Sequence, residues 1–322
     1  MLFRVMIVDD SATNRLLLDA MVKRLDQVET YLFASASEAM DWAVVNEPDL
    51  VFVDFLMPGM DGVEFIHRLR QMPHCEAVPI VMVTGFEDKR TLYRALEAGA
   101  TDFLNKPPDE VEFLARTRNM LKIRGSRREL IRLATIDDLT GLFNRRYFMR
   151  RLAEEISHAH ADYQLLSLVV LDVDHFKRIN DRQGHATGDR ALERLGEICR
   201  FTMRSSDIIG RIGGEELAVI MPLASRVEAA ICCERLRTTI EECVITNDDG
   251  ERVPMTVSVG LTEIWTGDDA RKLLSRADQA LYAAKRAGRN RVMVFRENGT
   301  IEALADNQHW LSYRRQLKQA LG

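Results

Sequence analysis

The chain has 322 residues, which at roughly 150 residues per domain is enough for two domains. Hydrophobic residues make up 46% and charged residues 29%, and glycine plus proline is about 8%. This composition excludes collagen-like, mucin-like and disordered chains. The net charge of −5 provides no overall basic field, so we expect neither nucleic acid nor a membrane as a partner.

The N-terminus reaches two acids, Asp9 and Asp10, too early for a secretory signal peptide. No apolar run approaches the roughly 18 residues that span a bilayer. The five cysteines show no Cys-x-x-Cys spacing, which favours free thiols in a reducing compartment. We therefore expect a cytoplasmic protein.

Short apolar runs alternate with longer amphipathic stretches through residues 1–122, the pattern of an α/β domain with a doubly wound parallel sheet. Five strands are predicted, at residues 4–8, 30–34, 50–53, 80–83 and 101–104. Such sheets bind ligands at the carboxyl ends of their strands. The polar residues predicted at those ends are Asp9, Asp10, Asp54, Thr84 and Lys106.

Three carboxylates cannot all ionise a few ångströms apart without a cation, and ligands that offer only oxygen suit Mg²⁺. One carboxylate can then accept a phosphoryl group, while Lys106 balances the developing charge and Thr84 donates a hydrogen bond. The alternative is that Asp9 and Asp10 merely end a strand and cap a helix. Four matched strand ends favour the phosphoryl acceptor.

Asp54 is followed by Phe-Leu-Met-Pro-Gly-Met-Asp-Gly, and Lys106 is followed by proline. With these motifs, residues 1–122 resemble the receiver domain of two-component response regulators. The resemblance implies that Asp54 is the phosphoacceptor and that a sensor histidine kinase is a partner. It implies a Mg²⁺ site formed by Asp9, Asp10, Asp54 and the carbonyl group of Leu56. It also implies that the switch residues are Thr84, Phe103 and Lys106.

Residues 109–136 are predicted to form one helix that continues the last receiver helix, begins acidic and turns basic. Apolar residues at 4-3 spacing suggest a seam for a coiled coil, although its middle is cationic and Gly125 costs about 1 kcal/mol of helix stability. A solvated charged helix is the alternative. The seam would run through Phe113, Thr117, Met120, Arg124, Arg127, Ile131 and Ala134.

Residues 137–297 are predicted to form a palm-like β-α-β-β-α-β domain with a closing strand. Its first strand ends in Asp172, and a tight turn between two later strands carries Glu215 and Glu216. Phosphoryl transfer between nucleotides requires metals and positioning more than covalent chemistry from the protein. We therefore expect Asp172, Glu215 and the Val173 carbonyl group to be metal ligands.

Four motifs of this domain occur in order: Asp-Asp-Leu-Thr-Gly-Leu-Phe-Asn-Arg-Arg from Asp137, Asp-Val-Asp-His-Phe-Lys from Asp172, Gly-Gly-Glu-Glu from Gly213, and Ala-Lys-Arg-Ala-Gly-Arg-Asn from Ala284. With them, the domain resembles the GGDEF diguanylate cyclases, which join two GTP into cyclic di-GMP. The resemblance implies a homodimer and Mg²⁺ in both domains, with Mn²⁺ as a substitute.

The resemblance also implies individual roles. Catalytic roles fall to Asp172, Lys177, Glu215 and Glu216. Substrate-binding roles fall to Phe176, Lys177, Asn180, Asp189, Gly213, Gly214, Lys285 and Arg289. Asn180 and Asp189 would accept from the guanine N–H donors, and the cations would hold the phosphates. The motif usually ends in phenylalanine; here Leu217 stands there, and we expect it to face the core.

Arg204 and Asp207 match the inhibitory Arg-x-x-Asp site of the same family, and Arg235 is expected to assist them. The implied ligand is cyclic di-GMP, which makes the product an inhibitor. The alternative is an ordinary surface pair at positions i and i+3 of a helix.

Residues 298–322 form a tail with a predicted amphipathic helix that carries Trp310, Tyr313, Leu317 and Leu321. Packing of this helix on its own domain is expected, and docking to a partner is the alternative. For the whole chain we expect a phosphorylation-controlled cyclase. The alternative is a catalytically silent module that binds GTP or cyclic di-GMP and signals through protein contacts. Lost metal ligands would mark such a module, and none is lost.

Overall fold

The computed structural model describes residues 2–85 and 89–303. The chain divides into two compact units, Met1–Leu130 and Ile131–Gly322. Each unit has its own sheet and its own hydrophobic core, and each is described by itself.

The N-terminal unit contains β1 (Phe3–Val8), α1 (Ala12–Val22), β2 (Val28–Phe33), α2 (Ala36–Val45), β3 (Leu50–Asp54), α3 (Gly62–Arg70), β4 (Ile80–Thr84), α4 (Lys89–Glu97) and β5 (Asp102–Asn105). All neighbouring strands are parallel, in the order β2-β1-β3-β4-β5. The predicted doubly wound sheet is therefore confirmed. The strand order reverses beside β1, which opens a crevice at the carboxyl ends of β1 and β3.

Every residue of β3 and β4 is buried, because helices cover both faces of this sheet. The helices begin at polar caps that satisfy free backbone N–H groups. Ser11, Ser35 and Asp61 each accept a hydrogen bond from the N–H group three residues further on. These caps set the points at which the chain leaves the sheet edge and turns into α1, α2 and α3.

The helix that follows β5 is α5 (Glu110–Thr135), and it matches the predicted long helix. It buries Phe113, Thr117, Leu121 and Arg124. The Phe113 ring stacks on the ring of Phe52 in β3 with centroids 4.8 Å apart. The first half of α5 therefore belongs to the core of the N-terminal unit.

This packing corrects the predicted coiled-coil seam. Phe113 and Thr117 face their own unit, and the Arg124 guanidinium is buried against Glu47 and Asp49. A Cβ atom on Gly125 would lie 3.0 Å from the Phe3 ring, so the glycine permits a close approach of the helix to β1. The expectation of one continuous seam is wrong, because intradomain packing occupies half of it.

The C-terminal unit contains β6 (Phe143–Asn144), α6 (Arg145–Ala161), β7 (Leu166–Val173), α7 (Phe176–Gln183), α8 (His185–Thr202), β8 (Ile208–Arg211), β9 (Glu216–Pro222), α9 (Arg226–Glu242), β10 (Ile245–Thr246), β11 (Arg252–Val253), β12 (Val257–Glu263), α10 (Ala270–Arg286), β13 (Val292–Phe295) and β14 (Ile301–Ala303). Its large sheet has the order β14-β13-β12-β7-β9-β8-β6. The central strand β7 is fully buried and pairs antiparallel with β12 and β9. The predicted β-α-β-β-α-β pattern is present, with additions.

The main additions are α6 and α7, which the apolar pattern did not predict. α6 buries Phe148 and Leu152 although arginines occupy much of its remaining surface. α7 has only eight residues and is separated from α8 by Gly184, whose φ of 81° few other residues adopt. The corner between α7 and α8 therefore depends on this glycine.

None of the described helices is long and apolar enough to cross a membrane. All five cysteines are free, as their spacing indicated, and all five are buried. The predicted tail helix lies outside the described residues.

Candidate functional site

The first candidate site lies at the carboxyl edge of the N-terminal sheet. Asp9 follows β1, Asp54 ends β3, and Lys106 follows β5. The Lys106 Nζ atom lies 2.7 Å from Oδ2 of Asp9 and 2.7 Å from Oδ1 of Asp54. Both of these carboxylates are buried, whereas Asp10 is exposed. The structure therefore brings the predicted acids and the predicted lysine together.

This acidic cluster fits a hard divalent cation. One oxygen from each of Asp9, Asp10 and Asp54 can be chosen so that all three lie within 4.8 Å of one another. Burial raises the pKa of Asp54, and the Lys106 ammonium group opposes this rise. One lysine does not neutralise three carboxylates, so a further cation is expected to bind. Leu56, whose carbonyl group is the fourth predicted ligand, lies just beyond Asp54 on a loop and is exposed.

Local contacts hold the two buried carboxylates in place. The Ser11 N–H group donates to Oδ1 of Asp9 over 2.9 Å, and the Asn14 amide donates to the same oxygen over 3.3 Å. A Cβ atom on Gly62 would lie 2.3 Å from the Asp54 carbonyl oxygen. Glycine at this position therefore lets α3 start directly against the end of β3.

The predicted switch residues occupy the neighbouring strands. Thr84 is buried at the end of β4, and its carbonyl group accepts a hydrogen bond of 2.8 Å from the Lys106 N–H group. Phe103 is partly buried in β5 and packs against the hydrophobic core. Thr84, Phe103 and Lys106 thus lie on one side of Asp54, in β4, β5 and the residue after β5.

The second candidate site lies at the end of β7. Asp172 is buried there, and it is the register partner of Glu216 in β9. The Val173 N–H group donates to the Glu215 carbonyl oxygen over 3.4 Å. The Lys285 Nζ atom lies 2.7 Å from Oδ2 of Asp172. The structure therefore gathers all of the predicted metal ligands of this domain at one edge of the sheet.

The electrostatics of this edge are acidic. Burial raises the pKa of Asp172, Lys285 opposes that rise, and Glu215 and Glu216 add to it. Among the described residues, however, these acids do not form a group of three ligand oxygens within 4.8 Å, as the N-terminal cluster does. The predicted ligands are adjacent along β7 and β9.

The predicted guanine-binding residues meet at the corner between α7 and α8. A Cβ atom on Gly188 would lie 1.8 Å from Oδ1 of Asn180, so glycine lets the Asn180 side chain pack against α8. Asp189 is the next residue and is exposed. Phe176 is partly buried and packs against the core, which leaves its backbone as its predicted contribution to the site.

The predicted phosphate-binding cations come from two places. Lys177 is exposed in the first turn of α7. Lys285 lies in the last turn of α10, and Arg289 follows that helix with a left-handed φ of 63°. This bend is held by the Asn290 N–H group, which donates to Oδ2 of Asp174 over 3.0 Å. Asp174 is therefore a structural acid at this edge.

A functional contact that the sequence did not reveal involves Arg211. Its Nη2 atom donates to the Gly214 carbonyl oxygen over 2.7 Å, and its Nη1 atom lies 3.2 Å from both carboxylate oxygens of Asp137. Asp137 in turn accepts from the Thr140 hydroxyl over 2.7 Å. We call Arg211, Asp137 and Thr140 the turn clamp, because they tie the first motif of the domain to the Gly-Gly-Glu-Glu turn.

The two glycines of that turn have different roles. A Cβ atom on Gly213 would lie 2.3 Å from Oε2 of Glu216, so a side chain at this position would displace the Glu216 carboxylate. A Cβ atom on Gly214 would meet nothing within 4 Å, which leaves open space beside the backbone. Leu217, which follows the Gly-Gly-Glu-Glu turn, is fully buried in the core, as expected for an apolar replacement.

The predicted inhibitory residues are close together. The Arg204 N–H group donates to Oδ2 of Asp207 over 3.0 Å, and the Arg235 guanidinium donates to the Thr202 carbonyl oxygen over 2.6 Å. Burial raises the pKa of Asp207, and Arg204 and Arg235 oppose the rise. α8 ends at Thr202, so Arg204 and Asp207 lie in a turn, and the alternative of a surface pair within a helix does not hold.

Each of the two units matches a known protein family. The family model "Response regulator receiver domain" matches residues 5–118, and the model "Diguanylate cyclase, GGDEF domain" matches residues 134–291. The response regulator PleD of Caulobacter vibrioides is 32% identical over 301 residues, which cover 90% of this chain and 65% of PleD. The diguanylate cyclase DgcP of Pseudomonas aeruginosa is 44% identical over 161 residues, which cover 50% of this chain and 24% of DgcP.

Among solved structures, the coiled coil and GGDEF domain of DgcB from Caulobacter crescentus, in complex with c-di-GMP, is 32% identical with a TM-score of 0.54. The match covers 57% of this chain and 98% of that structure. The fold and these matches define a two-domain response regulator. The chain thus carries a receiver domain at residues 5–118, followed by a GGDEF domain at residues 134–291. It spans just under two thirds of PleD and about a quarter of DgcP.

The turn clamp leads to a first prediction. Arg211→Met removes the hydrogen bonds to Gly214 and Asp137, so amide hydrogen exchange in residues 212–216 should become about tenfold faster while exchange in β7 is unchanged. Arg252→Met, at an exposed position of β11, is the matched control and should leave the turn as it is. Equal exchange in both variants would mean that Arg211 does not hold the turn.

Proposed function

We propose that this chain is a phosphorylation-controlled diguanylate cyclase that condenses two GTP into cyclic di-GMP and pyrophosphate. The observation that carries the proposal is the position of Asp172. This buried carboxylate lies beside Glu215 and Glu216 and is paired with Lys285, at the edge that also carries the α7–α8 corner. Acidic residues that can bind a metal and basic residues that can bind phosphates therefore lie next to residues that can bind guanine.

The chemistry of these residues supports GTP as the substrate. Guanine presents N1–H and N2–H₂ donors, which suit the Asn180 amide oxygen and the Asp189 carboxylate. Lys177, Lys285 and Arg289 supply positive charge for the triphosphate. The open space beside Gly214 allows the backbone to approach a phosphate without a side chain in between.

The residues present fit Mg²⁺, with Mn²⁺ as a substitute. Asp172, Glu215 and the Val173 carbonyl group would hold it, and Glu216 would be a second ligand or a proton acceptor. Among the described residues, Lys285 is the one cation in direct contact with Asp172. The negative charge of Asp172, Glu215 and Glu216 therefore exceeds the positive charge of Lys285, and the excess favours binding of a metal ion. When bound, the metal activates the attacking 3′-hydroxyl group and stabilises the leaving pyrophosphate.

The stoichiometry supports a homodimer. One site of this kind holds one GTP, whereas the product contains two nucleotides. Each 3′-hydroxyl group must therefore reach the α-phosphate that a second copy of the domain holds. Two sites facing each other satisfy this requirement.

Control by phosphorylation is supported by the contacts around Asp54. A phosphoryl group from a sensor histidine kinase would add negative charge beside Lys106, which now bridges Asp9 and Asp54. Thr84 lies on β4, which pairs with β3, and Phe103 lies on β5, the next strand; both are placed to respond to that charge. Phe52, two residues before Asp54 in β3, stacks on Phe113 of α5, which gives the site a packed connection to the linker helix.

Inhibition by product is supported by the cluster of Arg204, Asp207 and Arg235. Guanidinium groups pair with phosphates and with acceptors on the Hoogsteen edge of guanine, and a carboxylate accepts from guanine N–H donors. Asp207 uses one of its two oxygens to hold the turn to Arg204. Cyclic di-GMP bound here on two domains would keep their active sites apart.

Loss of one metal ligand tests the catalytic proposal. Glu215→Gln should reduce cyclic di-GMP synthesis at least about a thousandfold, since it removes a ligand charge from a partly exposed turn without disturbing the core. Product formed from GTP and Mg²⁺ is measured by chromatography. Glu193→Gln, an equal change on the exposed face of α8, should retain full activity. Undiminished synthesis by Glu215→Gln would exclude this site; binding of GTP by a wild-type protein that makes no product would support the silent module instead.

The phosphoacceptor is tested by an isosteric change. Asp54→Asn cannot form an acyl phosphate, so basal synthesis should persist while stimulation by a small phosphoryl donor or by beryllofluoride disappears. Asp41→Asn, exposed on α2, is the control and should be stimulated like the wild type. Stimulation of Asp54→Asn to the wild-type level would place the control elsewhere in the chain.

Product inhibition is tested through late time points. Arg204→Ala should raise the yield of cyclic di-GMP at long incubation with little change in the initial rate, because the inhibitory cluster is separate from the catalytic residues. Initial rates are measured with and without added cyclic di-GMP. Arg252→Ala should behave as the wild type. If Arg204→Ala and the wild type are equally sensitive to product, Arg204 is not part of an inhibitory site.

A further inference from the structure

A network of hydrogen bonds fixes the short segment between α10 and β13. Three consecutive residues of this segment, Gly288, Arg289 and Asn290, have positive φ angles of 111°, 63° and 46°. Residues other than glycine rarely adopt this left-handed region, so Arg289 and Asn290 depend on outside contacts to remain there. We call residues 288–290 the left-handed bend.

Two contacts attach the bend to the end of β7, one on each side of Arg289. Before it, the Lys285 Nζ atom lies 2.7 Å from Oδ2 of Asp172. After it, the Asn290 N–H group donates to Oδ2 of the buried Asp174 over 3.0 Å. The backbone of Arg289 is therefore held at the edge that carries the second candidate site.

The side chain of Asn290 attaches the bend to α9 as well. Its Oδ1 atom accepts a hydrogen bond of 2.7 Å from Nη1 of Arg237, and its Nδ2 atom donates to Oε1 of Glu241 over 2.8 Å. Arg237 is itself fixed, since its guanidinium also pairs with Glu241 and Glu234 at 2.7 and 2.8 Å. An amide offers both the acceptor and the donor that these two neighbours need, and asparagine tolerates a left-handed φ.

Arg289 depends on this network because its own side chain is not held. Within residues 2–85 and 89–303, its guanidinium group makes no hydrogen bond and no ion pair. Its backbone, in contrast, is bonded twice: its N–H group donates to the Ala284 carbonyl oxygen over 3.0 Å, and its carbonyl oxygen accepts from Nε of Arg291 over 3.0 Å. The direction of the guanidinium is thus set by the backbone of the bend.

We propose that Arg237, Glu241 and Asn290 are positioning residues for the triphosphate of the substrate. Together with Asp174 they hold the left-handed bend, and the bend holds Arg289 where it can pair with a phosphate. None of the three needs to touch the nucleotide. This inference rests on the proposed function, in which the edge at Asp172 binds GTP.

Binding of 3′-deoxy-GTP tests this role, because the analogue keeps guanine and the triphosphate but lacks the attacking 3′-hydroxyl group. Affinity is measured by calorimetry with the full chain and Mg²⁺. Arg237→Met removes the donor to Asn290 and should weaken binding about tenfold, and Arg289→Ala should weaken it at least as much. Arg271→Met, at an exposed position in the first turn of α10, is the control and should bind like the wild type.

A double variant distinguishes positioning from a general loss of stability. If Arg237 acts through Arg289, Arg237→Met should cause no further loss of affinity in the Arg289→Ala background. A merely structural role would add its own loss to that of Arg289→Ala. Hydrogen exchange in β7 establishes that each variant is folded.

A reversal of hydrogen-bond polarity tests the contact between Asn290 and Glu241, and it also serves if Arg237→Met does not fold. Asn290→Asp sets a second carboxylate against Glu241 and should weaken binding about tenfold. Glu241→Gln supplies a donor there, so the two changes together should restore the affinity to within about threefold of the wild type. Glu242→Gln, at the exposed neighbouring position of α9, should not restore it.

The possible failures are distinguishable. Full affinity in Arg237→Met and Asn290→Asp, alongside a loss in Arg289→Ala, would overturn the positioning role and leave the GTP site in place. Additive losses in the double variant, or no rescue by Glu241→Gln, would overturn it as well. If the wild type does not bind 3′-deoxy-GTP, or if Arg289→Ala binds it undiminished, the proposed phosphate site itself is wrong and this inference with it.

Discussion

Both candidate sites depend on one constraint: buried carboxylates at a sheet edge require a cation, and among the described residues one lysine contacts the buried acids of each site. Lys106 bridges Asp9 and Asp54, and Lys285 pairs with Asp172. In each case burial favours the protonated acid and the lysine favours the ionised one. The lysine therefore favours the ionised carboxylate at each site, but it neutralises only part of the negative charge. The remaining negative charge can bind a metal ion. The surrounding glycines, caps and strand ends serve to bring these groups within reach.

Much of the fold could be predicted from the sequence, because the sheets are built from short apolar runs separated by regular amphipathic helices. β3 and β4 are buried throughout and were predicted to within one residue at either end. α6 was missed because its buried residues are interrupted by arginines. The linker seam was misjudged for a different reason: spacing alone cannot distinguish a face that packs on its own domain from one that packs on a partner. Phe113 and Arg124 have the same spacing in either case.

The candidate sites were predictable where a motif keeps its residues in order along the chain, as from Asp172 to Lys177. The turn clamp was not, since Arg211 and Asp137 are 74 residues apart and meet only through the sheet. The residues predicted to bind guanine could be predicted only in part. Asn180 and Asp189 were inferred from resemblance, whereas the reason for Gly188 between the helices emerges only from the packing.

The five cysteines give the molecule a property of practical value. Burial raises the pKa of Cys75 to about 11 and that of Cys199 to about 12, and it raises those of Cys232 and Cys233 as well. At pH 8 a thiol with a pKa of 11 is thiolate in about one molecule in a thousand, and its burial blocks reagents further. The native thiols are therefore expected to react slowly with thiol reagents. A cysteine introduced on the surface of either unit can be alkylated or spin-labelled selectively, without removing any native thiol.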